Sequence, residues 1–245
     1  MKVAFLGATR GMGRALARSM AERGDALFLL GRDADDLQRS ARDLEVRGAP
    51  GEVGTHPCDL AAPDTFGPAL AAAERALGGL DVVLVTAGIF ARQDELERDP
   101  ELAGRLLQVN FTNTILFCEA ARKRLLELGG GTLCVFSSVA GERGRKPVVL
   151  YGAAKAGLSR YLEGLDHRFR AAGLRTVCVK PGFVRTSMTD GLKQPPFAGE
   201  PEAVARRVLG AIDRGQPEVY APGVWRFVML AVRALPRAVM RRVGF

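Results

Sequence analysis

The stretch Lys2-Val3-Ala4-Phe5-Leu6-Gly7-Ala8-Thr9-Arg10-Gly11-Met12-Gly13 decides the fold. A short, mainly apolar strand runs into a glycine loop, and residues 14–23 then read as a helix. A strand, a glycine turn and a helix N-terminus together form an anion site, because unpaired backbone N–H groups and the positive helix end face one point. Glycine lets the backbone approach a phosphate closely. The spacing is G-x-x-x-G-x-G, with glycines at 7, 11 and 13, not the G-x-G-x-x-G of the usual dinucleotide fingerprint. Taken alone, the loop equally fits an ordinary glycine-rich turn.

The next segment indicates which dinucleotide would bind. Residues 26–30 read as a second strand ending in Gly31-Arg32-Asp33. An acid here would hydrogen-bond the adenosine ribose of NAD, whereas an arginine holds the 2′-phosphate of NADP. Arg32 follows the strand directly, and Arg10 in the glycine loop is a second guanidinium for the same phosphate. NADP is therefore favoured over NAD. Asp33 is the counter-argument, but its place before Ala34-Asp35-Asp36 makes it the N-cap of the following helix.

Strand and helix patterns then alternate. Residues 33–47 are helical, 52–57 form a weaker strand ending in Cys58-Asp59-Leu60, and 63–77 are an Ala-rich helix. Asp59 has two readings, a contact to the adenine edge or a cap of the helix that begins near Ala62. Residues 80–85 form an apolar strand of the kind covered on both faces, leading to Thr86-Ala87-Gly88-Ile89. Residues 100–128 read as one long helix containing Val109-Asn110-Phe111. The Asn110 amide needs partners there, either neighbouring main chain or a water near the site. Residues 132–136 form the fifth strand, which reaches Ser137-Ser138, and a loop over 139–149 leads to a helix starting near Tyr151. The small residues Gly152, Ala153, Ala154, Ala156 and Gly157 make that helix a candidate subunit contact. Residues 175–180 form a sixth strand, followed by Pro181-Gly182-Phe183-Val184-Arg185-Thr186. A Gly- and Pro-rich flap over 188–199, a helix over 201–214 and a short strand over 218–220 complete the pattern. This alternation predicts an α/β, doubly wound, parallel sheet with helices on both faces, in a single domain over residues 1–221.

The chemistry centres on Tyr151-Gly152-Ala153-Ala154-Lys155, with Ser138 thirteen residues before the tyrosine. On a helix Tyr151 and Lys155 project from one face. An ammonium beside a phenol favours the phenolate and is expected to lower the tyrosine pKa from about 10. Ser138 would hydrogen-bond the same substrate oxygen. A half-buried Tyr and a solvated Lys on an amphipathic helix fit the same spacing.

Composition narrows the classes. Hydrophobic residues make up 47% and charged residues 25%, which is ordinary for a globular chain. The apolar run at residues 2–6 is too short for a signal peptide, and no stretch reaches the roughly 18 to 20 apolar residues of a membrane span. Cys58, Cys118, Cys134 and Cys178 lie far apart without a C-x-x-C pair, which suggests buried free thiols in a reducing compartment. His56 and His167 are the only histidines, so no metal site is expected. A cytoplasmic location follows. Of the net charge of +8, five charges come from Arg226, Arg233, Arg237, Arg241 and Arg242, in a tail without acids. The body is nearly neutral and carries no basic stripe interleaved with aromatics, which argues against nucleic acid.

In their order and spacing these pieces resemble the short-chain dehydrogenase/reductase family, in its compact single-domain branch, over about residues 2–221. The residues that carry the resemblance are Gly7/Gly11/Gly13, Arg32, Asp59, Ala87-Gly88, Asn110, Ser138, Tyr151/Lys155 and Pro181-Gly182 through Thr186. It implies a Rossmann-type, mainly seven-stranded sheet and a tetrad of Asn110, Ser138, Tyr151 and Lys155. In such enzymes Tyr151 would be the general acid in ketone reduction and Ser138 would orient the carbonyl. Lys155 would hold the nicotinamide ribose and tune Tyr151, and Asn110 would link Lys155 to solvent through water. The implied cofactor contacts are Gly7, Thr9, Arg10, Gly11, Met12, Gly13, Arg32, Asp59, Leu60, Ala87, Gly88, Tyr151, Lys155, Pro181, Gly182, Val184 and Thr186, with Thr186 at the carboxamide and Asp59 at the adenine. A homodimer or homotetramer is the implied assembly. Two positions depart from the family pattern. Leu6 stands where Thr is usual, and Val85-Thr86-Ala87-Gly88 replaces Asn-Asn-Ala-Gly, so a bracing amide becomes a hydroxyl.

Residues 222–245 form a basic amphipathic helical extension. On a helical wheel Arg226, Arg233, Arg237 and Arg241 fall within about 80°, with Phe227, Val228, Val232, Leu235 and Val239 largely opposite. Pro236 kinks or divides the helix. One reading is docking on an anionic membrane surface; the other packs the apolar face over the substrate pocket or a second subunit. The tail loosely resembles those of reductases acting on lipid-borne ketones. The leading expectation is thus an NADPH-dependent carbonyl reductase acting on a ketone, lipid-linked if the tail binds a membrane. The alternatives are a catalytically silent NADP-binding sensor or interaction protein, and a sugar-nucleotide epimerase, for which 245 residues leave little room.

Overall fold

The computed structural model describes residues 1–192 and 194–244. Seven parallel strands form one sheet in the order β3-β2-β1-β4-β5-β6-β7. They are β1 (Lys2–Leu6), β2 (Ala26–Gly31), β3 (Gly54–Pro57), β4 (Val82–Val85), β5 (Gly131–Phe136), β6 (Leu174–Pro181) and β7 (Glu218–Ala221). All but β3, which lies at the sheet edge, are mostly buried, as expected of a parallel sheet covered on both faces. Strand order reverses between β1 and β4, where Leu6 pairs with Val85. At such a switch point a crevice opens beyond the carboxyl ends of the strands.

The helices are α1 (Gly11–Glu22), α2 (Ala34–Val46), α3 (Phe66–Leu77), α4 (Gln93–Arg98), α5 (Pro100–Leu107), α6 (Thr114–Glu127), α7 (Val149–Phe169), α8 (Pro201–Arg214), α9 (Trp225–Ala234) and α10 (Arg237–Met240). Alternate strand residues face opposite sides. Val3 and Phe5 join Leu16, Leu37 and Val208 under α1, α2 and α8. Ala4 and Leu6 join Phe66, Phe117 and Leu158 under α3, α6 and α7. The doubly wound Rossmann-type α/β architecture expected from the sequence is present.

The elements differ from their sequence-based bounds in instructive places. Residues 100–128 do not form one helix. A π-helical turn over Gln108–Asn113 separates α5 from α6, and the hydroxyl of Thr114, the first residue of α6, donates back to the Val109 carbonyl at 2.7 Å. Two of the small residues of α7 are used inside the chain, while Ala153 is exposed. A Cβ on Gly152 would lie 2.9 Å from the Ala140 carbonyl oxygen, and one on Gly157 would meet the Phe111 ring at 2.5 Å. α4 is an additional short helix, without a counterpart in the strand–helix alternation of the sequence. The flap expected over 188–199 includes Lys193, which lies outside the described residues, as does Phe245 of the tail. The ends of the flap segment are pinned, because the Gly199 N–H donates to the Phe183 carbonyl at 2.8 Å and the Arg185 N–H to the Gly199 carbonyl at 2.9 Å.

The tail folds back onto the body. Trp225, Met229 and Val232 of α9 pack with Val139 and Tyr220. Phe227 and Val239 are the exceptions to the expected apolar face: Phe227 stands 70% exposed, beside Leu230 at 64%, and Val239 is exposed in α10. The reason is tertiary. Arg233 is drawn to Glu142 at 3.2 Å and Arg143 donates to the Leu235 carbonyl at 2.8 Å, contacts that fix which side of the helix faces inward. No described helix is long and apolar enough to cross a membrane.

Candidate active site

The glycine loop is held across the strand-order switch. The Thr86 hydroxyl donates to the Gly7 carbonyl at 2.8 Å, and the Thr86 N–H donates to the Leu6 carbonyl at 2.9 Å. The hydroxyl that replaces the family's amide therefore still braces β1 against β4. Gly13 is obligatory for sterics: a Cβ there would lie 2.1 Å from the Gly7 carbonyl oxygen. Gly7 and Gly11 have φ of 99° and 51°, in the left-handed region that glycine tolerates. Arg10 at the N-cap of α1 makes no side-chain capping bond, and the first turn of the helix carries no acid. Its N–H groups remain available to an anion.

Around this loop the other candidate cofactor positions divide. A Cβ on Gly11 would lie 3.3 Å from Thr186 Cγ2, so the loop and the segment after β6 meet. Arg32 is exposed and has no ion-pair partner among the described residues. Arg10, expected beside it, is instead paired with Asp36 at 2.6 Å. Hydrogen bonds from Arg10 and Arg39 hold the Asp36 carboxyl below the usual carboxylate range. Asp33 caps α2 by accepting from the Asp36 N–H at 2.9 Å, as its sequence position indicated. Asp59 accepts from the Ala61 N–H at 2.9 Å, a bond within the turn ahead of the helix; the expected cap is not made, because the helical turn at Pro63–Thr65 starts from Ala62 without a side-chain capping bond. Leu60 is buried, and its carbonyl accepts from Asn113 at 2.6 Å. Thr9, Met12, Ala87 and Gly88 are partly exposed along the crevice, and Pro181 and Val184 are buried at the end of β6. Gly182 lies directly under Trp225, where a Cβ would approach within 2.2 Å.

Ser138, Tyr151 and Lys155 meet at the end of β5. Ser138 leaves the strand with extended φ and ψ, and its Oγ accepts from the Ala140 N–H at 3.0 Å. Tyr151 lies in the first turn of α7, with its ring edge-to-face on Phe90 at 5.2 Å. The Lys155 side chain is buried, and its Nζ donates to the Phe136 carbonyl at 2.9 Å. That ammonium lies 5.8 Å from the centre of the Tyr151 ring. The Ser137 and Ser159 hydroxyls both donate to the Lys155 carbonyl at 2.9 Å. Gly141 presses on the same stretch, where a Cβ would lie 2.6 Å from the Ala156 nitrogen. These contacts lock the register of α7 against β5, and no spacing in the sequence marks Ser137 or Ser159 for that role.

The electrostatics correct one expectation. Burial pushes the Tyr151 phenol up to about 12, with the Ser138 hydrogen bond pulling against it. Burial likewise pulls Lys155 down to about 8. Desolvation outweighs the pull of Ser138, so the phenol of the chain alone is not depressed. Asn110 in the π-helical turn takes the main-chain option. Its Oδ1 accepts from the Ile89 N–H at 2.8 Å and its Nδ2 donates to the Ile89 carbonyl at 2.6 Å. It thereby holds Gly88 near Lys155, since a Cβ on Gly88 would sit 2.9 Å from Asn110 Oδ1 and 3.9 Å from Lys155 Nζ.

An uncapped helix end, a glycine cradle closed to any Cβ and a Ser/Tyr/Lys cluster beyond one sheet edge suit a dinucleotide with a reacting group at its far end. The chain belongs to the short chain dehydrogenase family, whose pattern it matches over residues 2–196. It is thus a short-chain dehydrogenase/reductase, a family that generally binds NAD(P). An uncharacterised oxidoreductase of Streptomyces coelicolor is 37% identical, over 97% of this chain and 94% of that protein. Carbonyl reductase family member 4 of Xenopus laevis is 30% identical, over 84% of this chain and 88% of that protein. A short-chain type dehydrogenase/reductase from Mycobacterium ulcerans shares the fold, with a TM-score of 0.82 at 22% identity over 89% of this chain and 86% of its own.

Proposed function

We propose that the protein is an NADPH-dependent reductase of ketones, with Tyr151 as general acid. The observation that carries this reading is the meeting of Ser138, a Tyr151 phenol kept protonated by burial and a buried Lys155 ammonium 5.8 Å from the Tyr151 ring. A donor must hold its proton until the substrate oxygen gains charge, and a phenol near 12 does so at neutral pH. Ser138 orients the carbonyl, Lys155 holds the nicotinamide ribose, and Asn110 fixes the Gly88 turn against Lys155. The bound nicotinamide supplies the hydride. Gly7, Thr9, Gly11, Met12 and Gly13 cradle the pyrophosphate, and Thr186 reaches the carboxamide. Asp59 and Leu60 border the adenine, and Arg32 takes the 2′-phosphate. Arg10 joins it only by leaving Asp36.

The test is titration with NADPH and NADH, followed by ketone-dependent NADPH oxidation. NADPH is expected to bind more tightly, and to weaken in Arg32→Ala. Preference for NADH would move the assignment to Asp33. Binding without turnover of any ketone would favour the silent sensor.

A second reading concerns residues 222–245, taken as an extension of one domain. Phe227 and Leu230 are exposed beside Arg226, and Val239 lies among Arg237, Arg241 and Arg242. None of these four arginines has an ion-pair partner among the described residues. An apolar ridge flanked by unpaired cations suits an anionic membrane surface and would bring a cytoplasmic enzyme to lipid-borne ketones. Co-sedimentation with anionic liposomes, lost in Phe227→Ser/Leu230→Ser, tests it. No binding at low salt removes the reading.

A further inference from the structure

The loop joining Ser138 to Tyr151 carries one acid and three bases, Glu142, Arg143, Arg145 and Lys146. Glu142 is fully committed. Its Oε1 pairs with Lys180 at 2.7 Å, and its Oε2 accepts from Tyr220 at 3.0 Å and Arg233 at 3.2 Å. Arg143 donates to the Leu235 carbonyl. Arg145 is different. Its Nε is shut away from solvent with no hydrogen-bond acceptor, and the guanidinium has no ion-pair partner among the described residues. The acids of α4, which packs beside this loop, are engaged elsewhere. Asp94 pairs with Arg92 and Arg98, Glu95 accepts from the Arg92 N–H, and Glu97 accepts from Gln93. Burial with no compensating acid pulls the Arg145 pKa down. A buried charged donor without an acceptor is costly to the fold, and such a cost is tolerated where function requires it.

We propose that Arg145 recognises an oxyanion carried by the substrate, a carboxylate or a phosphate ester on the ketone. The proposal rests on the reductase reading, because the loop is flanked by the two residues assigned to the reacting carbonyl. The planar fork of arginine matches both anions in a bidentate manner. A neutral isostere leaves the guanidinium as unpaired as it is in the chain alone, so discrimination follows from the same feature. Before Arg145 the loop is anchored by Ser138 at the strand and by Gly141 against α7, and after it the Leu150 N–H donates to Gln93 Oε1 of α4 at 3.2 Å.

The experiment compares a β-keto acid with its methyl ester, and a keto phosphate with its neutral alcohol, in wild type, Arg145→Met and Arg145→Lys. The wild type is expected to favour one anion by about tenfold or more in kcat/KM, chiefly through KM. Arg145→Met collapses that ratio and Arg145→Lys restores part of it. Whichever pair shows the preference identifies carboxylate or phosphate. Trp225, the single tryptophan, packs over Gly182 and gives a turnover-independent readout, since quenching by the anion in the NADP-bound protein should be lost in Arg145→Met. Arg145→Met should melt at or above the wild-type temperature, whereas a structural role predicts a lower one. No anion preference in the wild type, or the same preference in Arg145→Met, overturns the assignment. If neither ketone of a pair is reduced, the reductase reading falls, and the Trp225 titration still decides Arg145.

Discussion

The ammonium of Lys155 donates to the Phe136 carbonyl at 2.9 Å, two residues before Ser138, so one buried lysine ties the middle of α7 to the end of β5. Burial sets its pKa at about 8, below the usual value for lysine. Above that pH the ammonium that would hold the nicotinamide ribose is lost. NADPH affinity measured by fluorescence is therefore expected to weaken as pH rises through about 8. Lys155→Met should bind weakly and show no such step. A flat wild-type profile between pH 7 and 9 contradicts the assignment. For stability the sign is opposite: the folded pKa lies below the unfolded one, so the cost of burying the charge is relieved as pH rises from about 8 toward 10.5.

Tyr151→Phe should lower ketone reduction by about a thousandfold, within the range of lost general acid catalysis, and leave NADPH affinity nearly unchanged. The edge-to-face packing on Phe90 survives that substitution, so melting temperature should move little. Undiminished turnover would remove Tyr151 as the acid.

Thr86→Val removes the bond to the Gly7 carbonyl but keeps the side-chain shape. A loss of about 1 kcal/mol in stability is expected from chemical denaturation, together with weaker NADPH binding because the cradle loosens. Thr86→Asn, which brings back the family's usual residue, should not rescue it. A Cβ at Gly13 would already lie 2.6 Å from the threonine oxygen, so a larger side chain crowds α1.

Glu142→Gln should destabilise the fold by about 2–3 kcal/mol. The glutamate serves Lys180, Tyr220 and Arg233 together, but Lys180 retains Glu218. Burial raises the Glu142 carboxyl, yet the bonds from Lys180 and Tyr220 prevail and hold it below its usual value of 4.5. Its contribution is present above that pH and disappears as pH falls through the lower folded value. Acid melts of wild type and Glu142→Gln should accordingly converge well below pH 4.5. Parallel melts down to pH 2 would refute the linkage.

Local pattern carried much of this architecture. Apolar strands, glycine turns and helix periodicity are properties of adjacent residues, and they placed the seven strands and the Ser138, Tyr151 and Lys155 cluster. What escaped was set by contacts between distant segments. The π-helical turn around Asn110 has no distinctive spacing, because one added residue disturbs a helical pattern only slightly. The outward face of Phe227 follows from where Arg233 finds Glu142, 91 residues away. Arg10 has the right chemistry for a phosphate, but Asp36 in the first turn of α2 claims it. The Tyr151 pKa turned on desolvation, which no neighbour in the sequence reveals.

The turn at Gln108–Asn113 also sets the rotational phase between α5 and α6. Each residue of helix advances the side chains by about 100°. Deleting one residue from this turn would swing Phe117, Cys118, Ala121 and Leu125, all buried, away from the sheet, and would break the Asn110 pairing with Ile89 in the same stroke. The irregularity is therefore a joint whose length this chain cannot shorten: core registry and the position of the Gly88 turn are read from the same six residues.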